Sequence, residues 1–228
     1  MNAPTDPPQP VAMTESVPSP LAIFGGTFDP IHLGHLCVAW EAAELLDAEV
    51  RLMPAHVPPH RSPPQASPSE RVAMLQAVLR KQHRLTLDTR ELKRQGPSYT
   101  IDTLRELRAE QGSRPLVLLL GADAFAGLPS WHRWQDLFEL AHVGVLSRPG
   151  VPGSWPVELA LEVAPRRVVD PQSLRTSPAG KVVTLAVTPL EVSATRIREL
   201  FAAGRDPRYL LPEALFDDPA LLAPYRRR

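Results

Sequence analysis

The stretch Gly25-Gly26-Thr27-Phe28-Asp29-Pro30-Ile31-His32-Leu33-Gly34-His35 concentrates residue types suited to holding an anion. Paired glycines let the backbone turn sharply and let a ligand approach it closely. Gly34 lies between two histidines where a helix opens, a place at which another side chain would crowd a phosphate. Free N–H groups and the positive end of the helix dipole favour negative charge there. His32 and His35 are three apart, so on a helix their imidazoles share a face and can both donate to phosphate oxygens. Taken alone, Gly-Gly is compatible with a simple turn, and the histidines with a metal pair, although Asp29 is the one carboxylate close by. Asp29 itself reads as a turn-fixing residue. The stretch fits neither GxGxxG nor GxxxxGK[ST], which removes support for hydride transfer and P-loop hydrolysis.

Other segments add chemistry of the same kind. In Val192-Ser193-Ala194-Thr195-Arg196-Ile197-Arg198, Ser193 can cap a helix, and Arg198 offers a permanently charged planar donor set suited to phosphate. An ordinary capped amphipathic helix, with Ile197 and Leu200 inward, has the same pattern. His60 and Arg61 follow two prolines that stiffen their loop. Ser98-Tyr99-Thr100 opens a helix whose N–H groups could receive a carboxylate. Trp131, beside His132, offers a face for stacking on a flat ring. Gly121 and Asp123 follow an apolar strand, and Asp123 could accept from sugar hydroxyls or cap a helix. No Ser-His-Asp set and no pair of carboxylates suggests a strong general base, and no carboxylate cage suggests a resident metal.

These residues need elements that bring them together. Leu21–Phe24, Val50–Met53, Leu85–Leu87, Leu116–Leu120, Val143–Leu146 and Val182–Val187 read as strands, with Leu116–Leu120 central and covered on both faces. His35–Leu46, Ser69–Lys81 capped by Ser69, Tyr99–Gln111 capped by Ser98, Trp131–Leu140 and Ser193–Ala203 read as helices. In Ser69–Lys81 the inward face is Val72, Leu75, Val78 and Leu79. A Pro/Gly-rich excursion, Pro149–Gly180, holds a minor strand near Arg167–Val169. The alternation predicts an α/β, Rossmann-like doubly wound parallel sheet with helices on both faces.

The chain has 228 residues, with 25 basic and 25 acidic side chains and a formal charge of zero. That excludes a generally basic nucleic-acid binder, so an anionic ligand must be met locally. At 43% hydrophobic the chain can bury a core. Its longest apolar runs fall far short of the roughly 20 residues that cross a bilayer. One cysteine excludes a disulfide framework and fits a reducing, cytoplasmic setting; Cys37 reads as a small packed apolar residue. Prolines number 27, about 12%, and crowd the first twenty residues, which read as a disordered tail. With no Lys or Arg before Arg51, the tail resembles neither a signal peptide nor a transit peptide. Residues 21–228 read as one domain.

The first stretch closely resembles the T/H-x-G-H signature of nucleotidyltransferases with a Rossmann-like fold, and among them the bacterial nicotinate-nucleotide adenylyltransferases. Further matching segments are Val57-Pro58-Pro59-His60-Arg61, Glu91-Leu92-Lys93-Arg94, Ser98 to Leu104, Gly121-Ala122-Asp123 with Trp131, and Ser193 to Arg198. The likeness runs from Leu21 onward. It implies transfer of the adenylyl group of ATP to nicotinate mononucleotide, giving nicotinate adenine dinucleotide and pyrophosphate, with Mg²⁺ carried in on ATP. It implies that Gly25, Gly26, Thr27, Gly34, Gly121, Asp123, Ser193, Thr195 and Arg198 hold ATP, with His32, His35 and Arg198 acting in catalysis. Thr27, Arg61, Tyr99, Thr100, Trp131 and His132 would hold the mononucleotide, Arg61 through its phosphate and Trp131 by stacking on the pyridine. The family often has Tyr where this chain has His132. Arg196 falls at a variable position, and Arg148 would border the adenine. Alternatives are a relative acting on nicotinamide mononucleotide or phosphopantetheine, a fragment of a class I aminoacyl-tRNA synthetase, and a non-catalytic nucleotide sensor. The synthetase predicts a KMSKS-like loop and a basic RNA surface, and the sequence has neither.

Overall fold

The computed structural model describes residues 18–56, 63–94, 96, 98–147, 155–188 and 190–226. Short apolar runs rich in Leu, Val and Ile form strands because both of their faces can be covered. The strands are β1 (Leu21–Gly26), β2 (Glu49–Pro54), β3 (Leu85–Leu87), β4 (Leu116–Gly121), β5 (His142–Ser147), β6 (Arg167–Val168) and β7 (Val182–Ala186). The helices are α1 (Leu33–Leu46), α2 (Pro68–Leu79), α3 (Thr100–Gln111), α4 (Ala122–Ala126), α5 (Leu137–Leu140), α6 (Val157–Val163), α7 (Ala194–Ala202) and α8 (Ala223–Arg226). Every strand pairing is parallel. The order is β3-β2-β1-β4-β5-β7-β6, which puts β4 at the centre, as its composition predicts.

Alternation along the strands divides the core into two layers. Ala22, Val117, Leu119, Val183 and Leu185 face one side with the buried residues of α1, α2, α7 and α8. Leu21, Ile23, Leu116, Leu118, Leu120 and Val143 face the other with those of α3, α4, α5 and α6. Leu211, Leu215, Leu222 and Tyr225 join the first layer, so the C-terminal segment is part of the same core. The chain winds outward from β1 to β3, then restarts at β4 and winds the other way. The reversal between β1 and β4 opens a crevice at the carboxyl edge of the sheet, where open α/β folds take ligands.

Several boundaries differ from the sequence-based expectation. Helix α2 is capped by Ser67, not Ser69: Pro68 fits the first helical position, and Ser67 and Glu70 form a reciprocal capping box. Its buried face is Arg71, Met74, Leu75 and Leu79, while Val72 and Val78 are only half-buried. Helix α3 begins at Thr100 with Tyr99 at the cap position, and Ser98 instead donates to the Glu91 carbonyl. Trp131–Leu140 is not one helix. Trp131 is extended and Arg133 is left-handed (φ 54°), leaving a 3₁₀ turn at Trp134–Asp136 before α5. Residues 1–17 of the expected tail lie outside the described residues. Ser19 and Pro20 are held, with the Ser19 carbonyl accepting from Arg114 at 2.8 Å and Pro20 buried.

Gly144 in β5 is required by packing, since a Cβ there would come within 2.9 Å of Leu119 Cδ2 on the neighbouring central strand. Gly144→Val is expected to cost about 1–3 kcal/mol through overpacking. The check is a lower urea midpoint at unchanged m value.

Candidate active site

Antiparallel packing of helices on parallel strands puts the N-termini of α1, α3, α4 and α7 at the carboxyl edge of the sheet. The first stretch turns there. Gly25 leaves open space where a Cβ would stand, whereas a Cβ on Gly26 would meet the Phe28 ring at 2.8 Å. Phe28 is buried and left-handed (φ 51°), a conformation bulky residues rarely adopt. Its ring is held edge-on by Phe24, with centroids 6.1 Å apart, and by His35, at 5.1 Å.

The two histidines meet face to face. His32 caps α1, its Nδ1 accepting from the His35 N–H at 3.3 Å, and the two rings stack with centroids 3.6 Å apart and planes 20° apart. A Cβ on Gly34 would lie 3.1 Å from the His32 ring and 3.5 Å from the Val192 carbonyl oxygen. The small residue at Gly34 thus first makes room for the imidazole and for the loop that leads into α7. Burial pulls the His32 pKa down to about 4. Burial, then the neighbouring His32, pulls His35 to about 3. Both rings are neutral at pH 7. Because Nδ1 of His32 accepts, its proton sits on Nε2 and remains available to a ligand.

The second segment closes on the first. Ser193 caps α7 by accepting from the Arg196 N–H at 3.2 Å, which leaves its hydroxyl proton free to donate. Arg198 donates through Nη1 to the Asp29 carbonyl at 2.6 Å and through Nη2 to Thr195 Oγ1 at 3.1 Å. Ahead of α7, the Thr188 N–H donates to Glu41 on α1 at 2.6 Å. The openings of α1 and α7 therefore border one space, lined by neutral imidazoles, helix-end N–H groups and one guanidinium. Arg196 points away, paired with Glu199 on the surface at 3.6 Å.

A second group lies on the same edge. Tyr99 and His132 are in ring contact, with centroids 4.7 Å apart, beside the first turn of α3, which no side chain caps among the described residues. Trp131 packs half-buried on the core, and Thr100 is the first residue of α3. Gly121 and Asp123 are exposed at the end of β4 and the start of α4. Among the described residues, no hydrogen bond or ring contact joins these to the imidazole group. Arg61, with His60 and Arg148, lies outside the described residues.

The sequence reading missed two supports. Arg71 is fully buried and donates to the carbonyls of Thr27 at 2.8 Å and Ala55 at 2.9 Å. Spacing of Arg71 with Met74, Leu75 and Leu79 could have marked it as inward-facing. Tyr225, 196 positions away, donates to Asp29 Oδ1 at 2.7 Å, a contact without local signal. Asp29 does fix the turn: its carboxylate also accepts from Gln65 N–H at 2.8 Å and Ala66 N–H at 3.0 Å. Cys37 is half-buried rather than packed away, its thiol 3.7 Å from Glu41 Oε1. Among the described residues, no helix is long and apolar enough to cross a membrane, and no three His, Cys, Asp or Glu side chains group to hold a metal ion.

Comparison with known proteins gives the family and agrees with the fold. The cytidylyltransferase-like family model matches residues 23–200. A relative from Halorhodospira halophila is 52% identical over 196 residues, covering 86% of this chain and 90% of its own. One from Dechloromonas aromatica is 50% identical over 203 residues, covering 87% and 94%. Both carry the name "Probable nicotinate-nucleotide adenylyltransferase". In fold the chain is similar to the Plasmodium falciparum nicotinic acid mononucleotide adenylyltransferase complexed with NaAD, with TM-score 0.66, 15% identity and coverage of 91% and 96%.

The neutral histidines have a consequence for stability. An unfolded chain protonates each near pH 6.5, whereas the folded chain resists protonation down to about pH 4 at His32 and about pH 3 at His35. Their folded pKa values are depressed, so the unfolded state binds more protons and stability is lost as pH falls below 6.5. Fully buried His142, also shifted down by burial, adds in the same direction. Between pH 7 and pH 5 unfolding free energy should fall by roughly 2–4 kcal/mol from the His32–His35 pair. Urea titrations at the two pH values, compared with a His32→Asn/His35→Asn variant of shallower slope, check this.

Proposed function

The chain belongs to the cytidylyltransferase-like family and, within it, to the nicotinate-nucleotide adenylyltransferases, and on that premise we propose that its site transfers the adenylyl group of MgATP to nicotinate mononucleotide in NAD biosynthesis. The observation that carries this reading is the convergence of the α1 and α7 openings, with Arg198, on the stacked imidazoles. A polyphosphate tail needs such a dense set of donors on one side.

In the reaction, a phosphate oxygen of the mononucleotide forms a bond to the α-phosphorus of ATP. The bond from that phosphorus to the bridging oxygen of pyrophosphate breaks in line. The acceptor phosphate is already an anion near neutrality, its second pKa being about 6, so no strong base is required. Catalysis is alignment plus stabilisation of charge that grows on the leaving pyrophosphate. Neutral His32 and His35 donate N–H groups; Ser193, Thr195 and Arg198 meet the outer phosphates. Gly25, Gly26, Thr27 and Gly34 let the triphosphate lie close to the backbone, while Gly121 and Asp123 meet its nucleoside. Mg²⁺ would come with ATP and would supply positive charge to its phosphates. The helix-end N–H groups and the Arg198 guanidinium facing this space have no lone pair to offer a hard cation.

For the acceptor, the uncapped start of α3 at Thr100 offers N–H donors to a carboxylate, where an amide would turn its own NH₂ toward them. Trp131, Tyr99 and His132 supply ring faces for a pyridine. Arg61 would meet the acceptor phosphate. The single cysteine and zero formal charge fit a cytoplasmic enzyme of small-molecule substrates rather than a nucleic-acid binder.

Pyrophosphate release with MgATP is expected to be fast with nicotinate mononucleotide and at least tenfold slower with nicotinamide mononucleotide. Equal rates would contradict the carboxylate site, and dinucleotide binding without turnover would favour a sensor. His35→Ala is expected to lower kcat by about 10²–10³ with a folded circular-dichroism spectrum. A near-wild-type rate would remove His35 from the chemistry.

A further inference from the structure

Arg198 has five N–H donors, and two of them are occupied inside the protein, by the Asp29 carbonyl and by Thr195. Its orientation therefore depends on where Asp29 stands. Asp29 is 4% exposed, and its carboxylate is gripped by the Gln65 and Ala66 N–H groups and by the Tyr225 hydroxyl. Tyr225 is itself 2% exposed, on the four-residue helix α8 near the end of the chain. Its ring stacks on Phe201 of α7, with centroids 6.0 Å apart and planes 19° apart. Phe201 lies one turn of helix beyond Arg198. Tyr225 thus touches both partners of the contact: Asp29 through its hydroxyl, and the helix that carries Arg198 through its ring.

We propose that Tyr225 is a positioning residue for the phosphate-binding arginine, holding Asp29 so that Arg198 keeps two donors in the protein and presents the other three to the ligand. This rests on the reading of Arg198 as a phosphate ligand. The hydroxyl is suited to the task because burial, and then the Asp29 charge, push its pKa far above the ordinary tyrosine range, so it remains a donor at every working pH. It also saturates Oδ1 of a carboxylate whose Oδ2 lies 3.7 Å from Arg198 Nη1. Without it, a less satisfied Asp29 draws the guanidinium into a closer ion pair, in competition with the phosphates. The C-terminal helix is then an active part of the site, though it makes no contact with the reacting atoms.

A double-mutant cycle with MgATP and nicotinate mononucleotide separates this from a purely structural role. Tyr225→Phe keeps the ring stack and removes only the donor. It is expected to lower kcat/KM for ATP about tenfold, to leave KM for the mononucleotide within twofold, and to weaken pyrophosphate as a product inhibitor. In an Arg198→Ala background the same change should alter kcat/KM for ATP less than twofold. An equal loss in both backgrounds overturns the proposal, as does an unaltered Tyr225→Phe enzyme assayed well below its melting temperature. Wild-type activity in Arg198→Ala overturns it too, by removing the residue it acts through. Absence of turnover in the unmodified enzyme would instead defeat the adenylyl-transfer reading itself. Should Tyr225→Phe fold poorly, Asp29→Asn replaces it in the same cycle, with the same non-additivity expected.

Discussion

Two imidazole rings whose centroids are 3.6 Å apart cannot both become imidazolium cations at reasonable cost. Most of the site follows from that constraint. Stacked and desolvated, the rings stay neutral, so each offers an N–H rather than a full charge. His32 spends its Nδ1 lone pair on the His35 N–H, which fixes the ring and simultaneously caps α1. Gly34 is needed because a Cβ would press on that ring. The permanent positive charge must then come from elsewhere, and Arg198 supplies it from a different helix.

The division of labour suits a reaction in which charge moves from one phosphate to another. On the adenylyl-transfer reading proposed above, neutral donors would stabilise a developing oxyanion without binding the ground-state tetra-anion so tightly that product cannot leave. A cationic pair in their place would hold pyrophosphate. The protein keeps the rings dry with aromatic packing from Phe24 and Phe28, and holds Phe28 in a left-handed conformation that Gly26 makes room for. Behind this layer, Arg71 ties Thr27 to Ala55, and Asp29 ties the turn to Gln65, Ala66 and Tyr225. The turn is thus clamped from its rear by two buried charged side chains: the Asp29 carboxylate has a partner on each oxygen, and Arg71 is held through its Nη groups while its Nε has no partner among the described residues.

Much of this was legible in the residues themselves. The parallel sheet and its central strand followed from short apolar runs and helical spacing, whereas the pairing of the Gly25–His35 stretch with the Ser193–Arg198 segment was implied by the family resemblance. What stayed hidden was non-local or depended on backbone detail. Pro68 shifts the α2 cap by two positions. Arg133 in the left-handed region breaks what reads as a continuous helix from Trp131. Tyr225 reaches Asp29 across nearly the full chain, and no local pattern encodes such a contact. Gly34 was read as a space for phosphate, whereas the first neighbour of its missing side chain is an imidazole.

Nitrogen-detected NMR of the ligand-free protein labelled at histidine tests the central claim most directly. The account requires His32 and His35 to be neutral at pH 6, with the His32 proton on Nε2 and no titration of either ring above about pH 5. An imidazolium signal from either ring near pH 6.5, or a His32 proton on Nδ1, would contradict it.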